Sequence, residues 1–96
     1  MPTNLPSLRK RIDRIDLQLL RLLDQRAALA LQAGRLKRRY GLSVFDRRRE
    51  AEVVRRLVRA NRGPFPSGAI AQLFRQILRQ SCWLEASVTQ KKVHSR

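Results

Sequence analysis

Residues 8–40 read LRKRIDRIDLQLLRLLDQRAALALQAGRLKRRY, and their apolar side chains recur every three or four positions. This spacing places the apolar side chains on one face of an α-helix. The pattern predicts one long helix over residues 6–40. It begins at Pro6, a residue that a first turn tolerates, and ends before Gly41.

Two shorter helices are predicted after it. Asp46 is typical of an N-cap and begins a helix over residues 46–61. A turn rich in helix breakers follows at residues 61–66, and Ser67 caps a third helix over residues 67–88. The fold class is therefore all-α, with three helices in a single domain over residues 1–96. We expect a core at residues 5–88 and a frayed basic tail at residues 89–96.

The amino-acid composition excludes several classes of protein and of functional site. The 96 residues carry 22 Lys and Arg against 7 Asp and Glu, a net charge of +15, yet 43% of them are hydrophobic. This balance favours a folded domain over a solvated basic tail. No apolar run approaches the roughly 18 residues that span a bilayer, so we expect no membrane contact and a cytoplasmic location. One Cys and one His argue against a disulfide framework, a zinc site and Cys-His catalysis.

The long helix also predicts an assembly. Thirty-five residues of helix extend about 52 Å, whereas a compact domain of about 100 residues has a radius of gyration near 13 Å. The two shorter helices cannot cover the whole apolar stripe. We expect a second copy of the chain to cover the rest, in an entwined homodimer.

Charged residues interrupt the apolar faces. Arg26 lies in the middle of the stripe, and Lys37 lies within about 20° of it on the same face, beyond a patch of small residues. Ser81 and Glu85 continue the apolar face of the third helix. In one interpretation, Arg26 pairs with an acid of the dimer partner, Lys37 is solvated and Glu85 pairs with a surface arginine. In the other, the four side chains form a pocket for a small anion.

These residues belong to a pattern that resembles the all-helical chorismate mutases over about residues 5–88. The matching stretches are Leu8-Arg9, Ile12-Asp13-Arg14-Ile15-Asp16, Leu19-Leu20-Arg21-Leu22-Leu23, Arg26, Gly34-Arg35-Leu36-Lys37, Val44-Phe45-Asp46-Arg47-Arg48-Arg49-Glu50, Asn61-Arg62-Gly63-Pro64-Phe65, Leu73-Phe74-Arg75-Gln76-Ile77 and Ser81. Their order and spacing together make the resemblance specific. It implies a homodimer of three-helix chains that converts chorismate to prephenate in phenylalanine and tyrosine biosynthesis. The reaction is a pericyclic rearrangement that needs no cofactor or metal.

The resemblance also implies a set of site residues, which are Arg9, Arg26, Lys37, Asp46, Arg49, Glu50, Ser81 and Glu85. Chorismate is a small dicarboxylate with an ether bridge, so its carboxylates need cations and its ether oxygen needs hydrogen-bond donors. Arg26 and Arg49 would bind carboxylates, and Lys37 would reach both a carboxylate and the ether oxygen. Ser81 would contact a carboxylate.

The remaining residues have less direct roles. Glu50 would hold the ring hydroxyl of the substrate with help from Asp46. In the alternative interpretation, Asp46 serves only as the cap of the second helix. Arg9 lies about 25 Å along the helix from Arg26, so it would act from the partner chain. In the alternative interpretation, Arg9 forms an ion pair with Asp13 on the surface of the same helix. Glu85 stands where many bacterial members have Gln, and it must be protonated to donate to the ether oxygen.

Other functions are compatible with parts of this pattern. The turn at residues 61–65 and the basic tail resemble mutase domains fused ahead of a deoxy-arabino-heptulosonate phosphate synthase. The chain could thus be a domain that senses chorismate or prephenate, or a partner of a separate synthase. An isochorismate pyruvate-lyase is disfavoured because Glu50 is present. A basic helical dimer that binds nucleic acid is a remote alternative, because no recognition motif accompanies the arginines.

Overall fold

The computed structural model describes residues 4–89, which form three α-helices: α1 (Leu5–Arg39), α2 (Arg47–Ala60) and α3 (Ser67–Thr89). The prediction of an all-α fold with three helices is confirmed, and each helix end lies within one residue of its predicted position. Thr89, the first residue of the predicted tail, is the last residue of α3. The rest of the predicted basic tail lies outside the described residues.

The helix ends follow from capping residues. The side chain of Asn4 accepts a hydrogen bond from the backbone N–H of Ser7 at 2.9 Å, and Gly41 has a φ of 65° just beyond the end of α1. The Asp46 side chain accepts from the backbone N–H of Arg49 at 3.0 Å, as a predicted N-cap should. At α3, the carbonyl of Pro66 accepts the first helical hydrogen bonds, so Ser67 is the first helical residue and not the cap.

Helix α3 holds the fold together, because it packs against both α1 and α2. The closest approach is at Gly34 of α1. A Cβ added there would lie 2.6 Å from Cγ2 of Val88 and 2.8 Å from the carbonyl oxygen of Glu85. Only glycine permits this contact, since real Cβ atoms essentially never come so close. The crossing places the C-terminal part of α3 directly on the C-terminal half of α1.

The buried core is small. It consists of Ala30, Val53, Val54, Ala71 and Cys82 together with the hydroxyl residue Ser81. Leu73 of α3 lies outside this core and is 51% exposed. The radius of gyration is 17.4 Å, well above the roughly 13 Å of a compact domain of this size.

The N-terminal half of α1 extends beyond the other helices. Its stripe residues Ile12, Ile15, Leu19 and Leu22 are each more than half exposed. Such a contiguous apolar surface on a chain with a large net charge marks an interaction surface. Within residues 4–89, no helix is both long and apolar enough to cross a membrane.

Candidate active site

The C-terminal half of α1, the start of α2 and the middle of α3 enclose a cleft of about 540 Å³. This volume is typical of sites for small molecules. Seven of the eight predicted site residues line it, namely Arg26, Lys37, Asp46, Arg49, Glu50, Ser81 and Glu85. Residues that are far apart in sequence are thus brought together by the packing of α3.

Lys37 and Glu85 form an ion pair across the cleft. Nζ of Lys37 lies 2.6 Å from Oε1 of Glu85, and the two side chains are 26% and 14% exposed. The close packing at Gly34 allows this contact, because Glu85 is the residue whose backbone approaches Gly34. The interpretation in which Lys37 is solvated and Glu85 pairs with a surface arginine is therefore wrong.

Arg26 has a neutral partner. Its guanidinium donates to Oγ of Ser81, and that hydroxyl donates in turn to the carbonyl of Ile77 at 2.9 Å. Ser81 is buried and Arg26 is half-buried. Within residues 4–89, no carboxylate forms an ion pair with Arg26, so its charge can be matched by an anion in the cleft.

The start of α2 supplies the opposite wall. Asp46 uses one carboxylate oxygen to cap the helix, and Glu50 is half-buried one turn later. The guanidinium of Arg49 lies 3.3 Å from Glu52 in an exposed pair of little energetic value. Arg49 can therefore exchange Glu52 for a ligand carboxylate at low cost. Arg9 is exposed and does not line this cleft.

Cys82 is a residue of the cleft that sequence reasoning missed. It is buried, and its Sγ lies 3.7 Å from the carbonyl oxygen of Val44. Burial raises the pKa of the thiol, the negative charges of Glu85 and Glu50 raise it further, and Lys37 opposes them. Its position four residues after Leu78, another lining residue, was the signal that could have indicated it.

The cleft has a balanced set of charges. Three cations, Arg26, Lys37 and Arg49, lie among three carboxylic acids, and apolar side chains such as Leu29 and Val53 fill the rest of the wall. The cations suit the carboxylates of a small ligand, and the acids suit its hydroxyl or ether groups. Among the described residues that line it, there is no histidine and no hydroxyl–base pair suited to covalent catalysis. The cleft is thus built to bind and orient a polar anion.

The chain is similar to known proteins over most of its length. A family model described as chorismate mutase type II matches residues 8–86. A solved structure of chorismate mutase (form II) from Thermus thermophilus is 40% identical, with a TM-score of 0.85. The match covers 88% of this chain and 97% of that one. A second structure from the same organism, form I, is 41% identical with a TM-score of 0.78, covering 79% of this chain and 95% of that one.

Curated relatives are longer proteins. A bifunctional chorismate mutase/prephenate dehydratase from Aquifex aeolicus is 38% identical over 88% of this chain and 24% of its own length. The protein of the same description from Neisseria gonorrhoeae is also 38% identical, over 84% of this chain and 22% of its length. This chain therefore spans about a quarter of these relatives. Their names join the mutase to a dehydratase, not to the synthase whose fused mutase domains the turn and the tail resemble.

Proposed function

This chain belongs to the type II chorismate mutase family, and on that basis we propose that it isomerises chorismate to prephenate. One observation supports the proposal most strongly. The cleft brings Arg26, Lys37, Ser81 and Glu85 together from positions up to 59 residues apart in the sequence. These are residues that the family resemblance assigned to substrate binding and catalysis.

In this proposal the cations hold the substrate in its reactive shape. Arg26 and Arg49 bind the two carboxylates, and Ser81 adds a hydrogen bond beside Arg26. Glu50 accepts a hydrogen bond from the ring hydroxyl, and Asp46 contributes at the start of α2 while it caps the helix. A unimolecular rearrangement gains its rate from such confinement and from stabilised charge, and it requires no nucleophile.

Lys37 and Glu85 act on the breaking ether bond. The ether oxygen gains negative charge in the transition state, so both side chains must donate hydrogen bonds to it. In the free protein they pair with each other at 2.6 Å. This pair must separate when the substrate binds, so that both side chains can turn towards the ether oxygen.

We also propose that the active form is a homodimer. The exposed stripe of α1 offers the surface for it, since a second α1 can cover Ile12, Ile15 and Leu19. Such a pairing would bring Arg9 of one chain to the cleft of the other and add a further cation to it. Arg9 cannot reach Arg26 of its own chain, which lies about 25 Å away along the same helix.

The direct test measures the loss of the substrate and the formation of the product. Loss of chorismate and formation of prephenate should proceed at equal rates in the purified protein, without added metal or cofactor. Release of pyruvate would instead indicate a lyase, and binding of chorismate without turnover would indicate a sensing domain. The assay is then repeated with a deoxy-arabino-heptulosonate phosphate synthase present. A change in turnover would indicate that the two proteins are partners.

A further inference from the structure

A second cavity of about 520 Å³ lies beside the active-site cleft. It is formed by the loop before α2 and by the side of α3 that faces away from α1. Trp83 lies on this side because two residues of helix separate it from Ser81, a rotation of about 200°. Glu50 and Cys82 line both cavities and separate one from the other.

Two large aromatic rings line this cavity from different elements. Phe45 of the loop is 72% exposed, and Trp83 of α3 is 71% exposed. Neither ring contributes to the core or to the active-site cleft. Aromatic rings facing one cavity form a surface on which another flat ring can stack.

Two arginines complete the wall. Arg75 and Arg79 are four residues apart and, with Trp83, form one row along α3. Within residues 4–89, neither guanidinium forms an ion pair or a hydrogen bond. Glu50 is the one acidic side chain of the cavity wall. It lies at the boundary with the active-site cleft, so the excess charge of the outer wall is positive.

We propose that this cavity binds a small aromatic carboxylate. The ring of the ligand would lie against Trp83 and Phe45, and its carboxylate would pair with the guanidinium groups of Arg75 and Arg79. The volume suits a ligand of one ring with a short side chain. The inference does not depend on the proposed function, because neither arginine lines the active-site cleft.

Phenylacetate is a suitable probe, and the chain supplies its own reporter. Trp83 is the single tryptophan of the sequence, so its fluorescence reports on this cavity directly. We expect a saturable blue shift of emission as the ring of phenylacetate displaces water from the indole. Phenylacetamide, which lacks the charge, and acetate, which lacks the ring, should each bind more weakly.

Substitution of the arginines locates the ligand. Arg79→Gln and Arg75→Gln should each raise the dissociation constant roughly threefold to tenfold, as expected for the loss of one partly exposed charged contact. Arg59→Gln is the matched control. It changes an exposed arginine of α2 that does not line the cavity, and it should leave binding unchanged. Circular dichroism checks that each variant is folded.

Two outcomes would overturn the proposal. Equal affinity for phenylacetate in the wild type and in the double variant of Arg75 and Arg79 would show that these arginines do not bind the ligand. Binding that is lost in Arg26→Ala but retained in the double variant would place phenylacetate in the active-site cleft instead. Neither outcome bears on whether the protein turns over chorismate, so the two proposals fail separately.

Discussion

Arg26 occupies a position where the helical pattern calls for a leucine. Its hydrogen-bond partner is the neutral hydroxyl of Ser81, so the structure keeps a half-buried positive charge without an acid beside it in the described residues. Such a charge is costly to the fold. A binding function explains why it is present, since a substrate carboxylate would satisfy it.

Replacement of Arg26 should lower activity without lowering the stability of the fold. Arg26→Ala should lower turnover of chorismate at least about a hundredfold, the order expected when a preorganised charge is lost from a site. Thermal stability should be unchanged or higher, because a poorly paired charge is removed. Arg21→Ala, on the exposed side of α1, is the control and should behave as wild type. Undiminished turnover in Arg26→Ala would exclude Arg26 from the site.

The proposed role of Glu85 predicts the effect of an amide in its place. The side chain of Glu85→Gln keeps a hydrogen-bond donor for the ether oxygen, because an amide N–H donates. Glu85→Gln should therefore keep turnover, whereas Glu85→Ala should lose most of it, since one donor of this type is worth roughly 2.7–4 kcal/mol. A Gln variant as inactive as the Ala variant in the chorismate assay would contradict this role.

Cys82 should react slowly with alkylating reagents. Burial and the carboxylates of Glu85 and Glu50 raise the pKa of its thiol, so the reactive thiolate is scarce at neutral pH. Iodoacetamide should modify the native protein much more slowly than the protein unfolded in guanidinium chloride. The chain has a single cysteine, so mass spectrometry gives both rates without ambiguity. Equal rates in the two states would show that the thiol is accessible and ionised.

The sequence predicted some of these residues and not others for physical reasons. Arg26 and Glu85 are polar residues on apolar faces, and helical periodicity makes such residues conspicuous. Cys82 is neither charged nor out of place, so only tertiary packing reveals that it lines the cleft. The direct pairing of Lys37 with Glu85 depends on the distance between α1 and α3, which periodicity does not contain.

At the scale of helices, the contact of α1 with α3 depends on Gly34. The periodicity of α1 predicted its length well, because a 35-residue pattern leaves little ambiguity. It could not say which side of α1 carries α3. The structure shows that the small residues Ala30 and Gly34, one turn apart, form the buried contact, while Ala33 lines the cleft beside them.

A methyl group at Gly34 should push the two helices apart. Gly34→Ala places a Cβ 2.8 Å from backbone atoms of Glu85, which cannot move without shifting α3. We expect a loss of roughly 1–3 kcal/mol in stability, as for overpacked cores. Turnover should also fall, because Lys37 and Glu85 separate. Both effects can be measured by thermal unfolding and a chorismate assay.

Gly68 provides a matched control within α3. A Cβ added there meets nothing within 4 Å, so Gly68→Ala should leave turnover unchanged. Stability should rise by up to about 1 kcal/mol, because alanine is the better helix former. If both alanine variants behaved alike, the close contact at Gly34 would not control the geometry of the cleft.

At the scale of the whole molecule, the exposed stripe on the N-terminal half of α1 was expected from sequence. A helix of that length cannot be covered by two shorter ones, and the structure agrees, since the stripe residues Ile12, Ile15 and Leu19 are exposed in the single chain. Which surface of a second copy covers them is a property of two chains, and the pattern of one chain does not determine it.

Complementation tests the proposed dimer and the role of Arg9 together. Arg9→Ala and Lys37→Ala should each be inactive alone. After subunit exchange, one of the two sites in a mixed dimer carries both wild-type residues, so activity should return to about a quarter of the wild-type value, since about half of the dimers are mixed. Mass spectrometry of intact dimers verifies the exchange. Verified exchange without recovery would show that Arg9 does not act across chains.

The central position of α3 has a consequence for the synthesis of the protein. Within the described residues, α1 and α2 do not pack against each other, and α3 is the last helix of the three to leave the ribosome. A nascent chain that ends before residue 67 therefore has no tertiary contacts to form. The part of α1 that α3 covers, around Ala30 and Gly34, stays unprotected until α3 has been translated, and in that interval the nascent chain is exposed to chaperones and proteases.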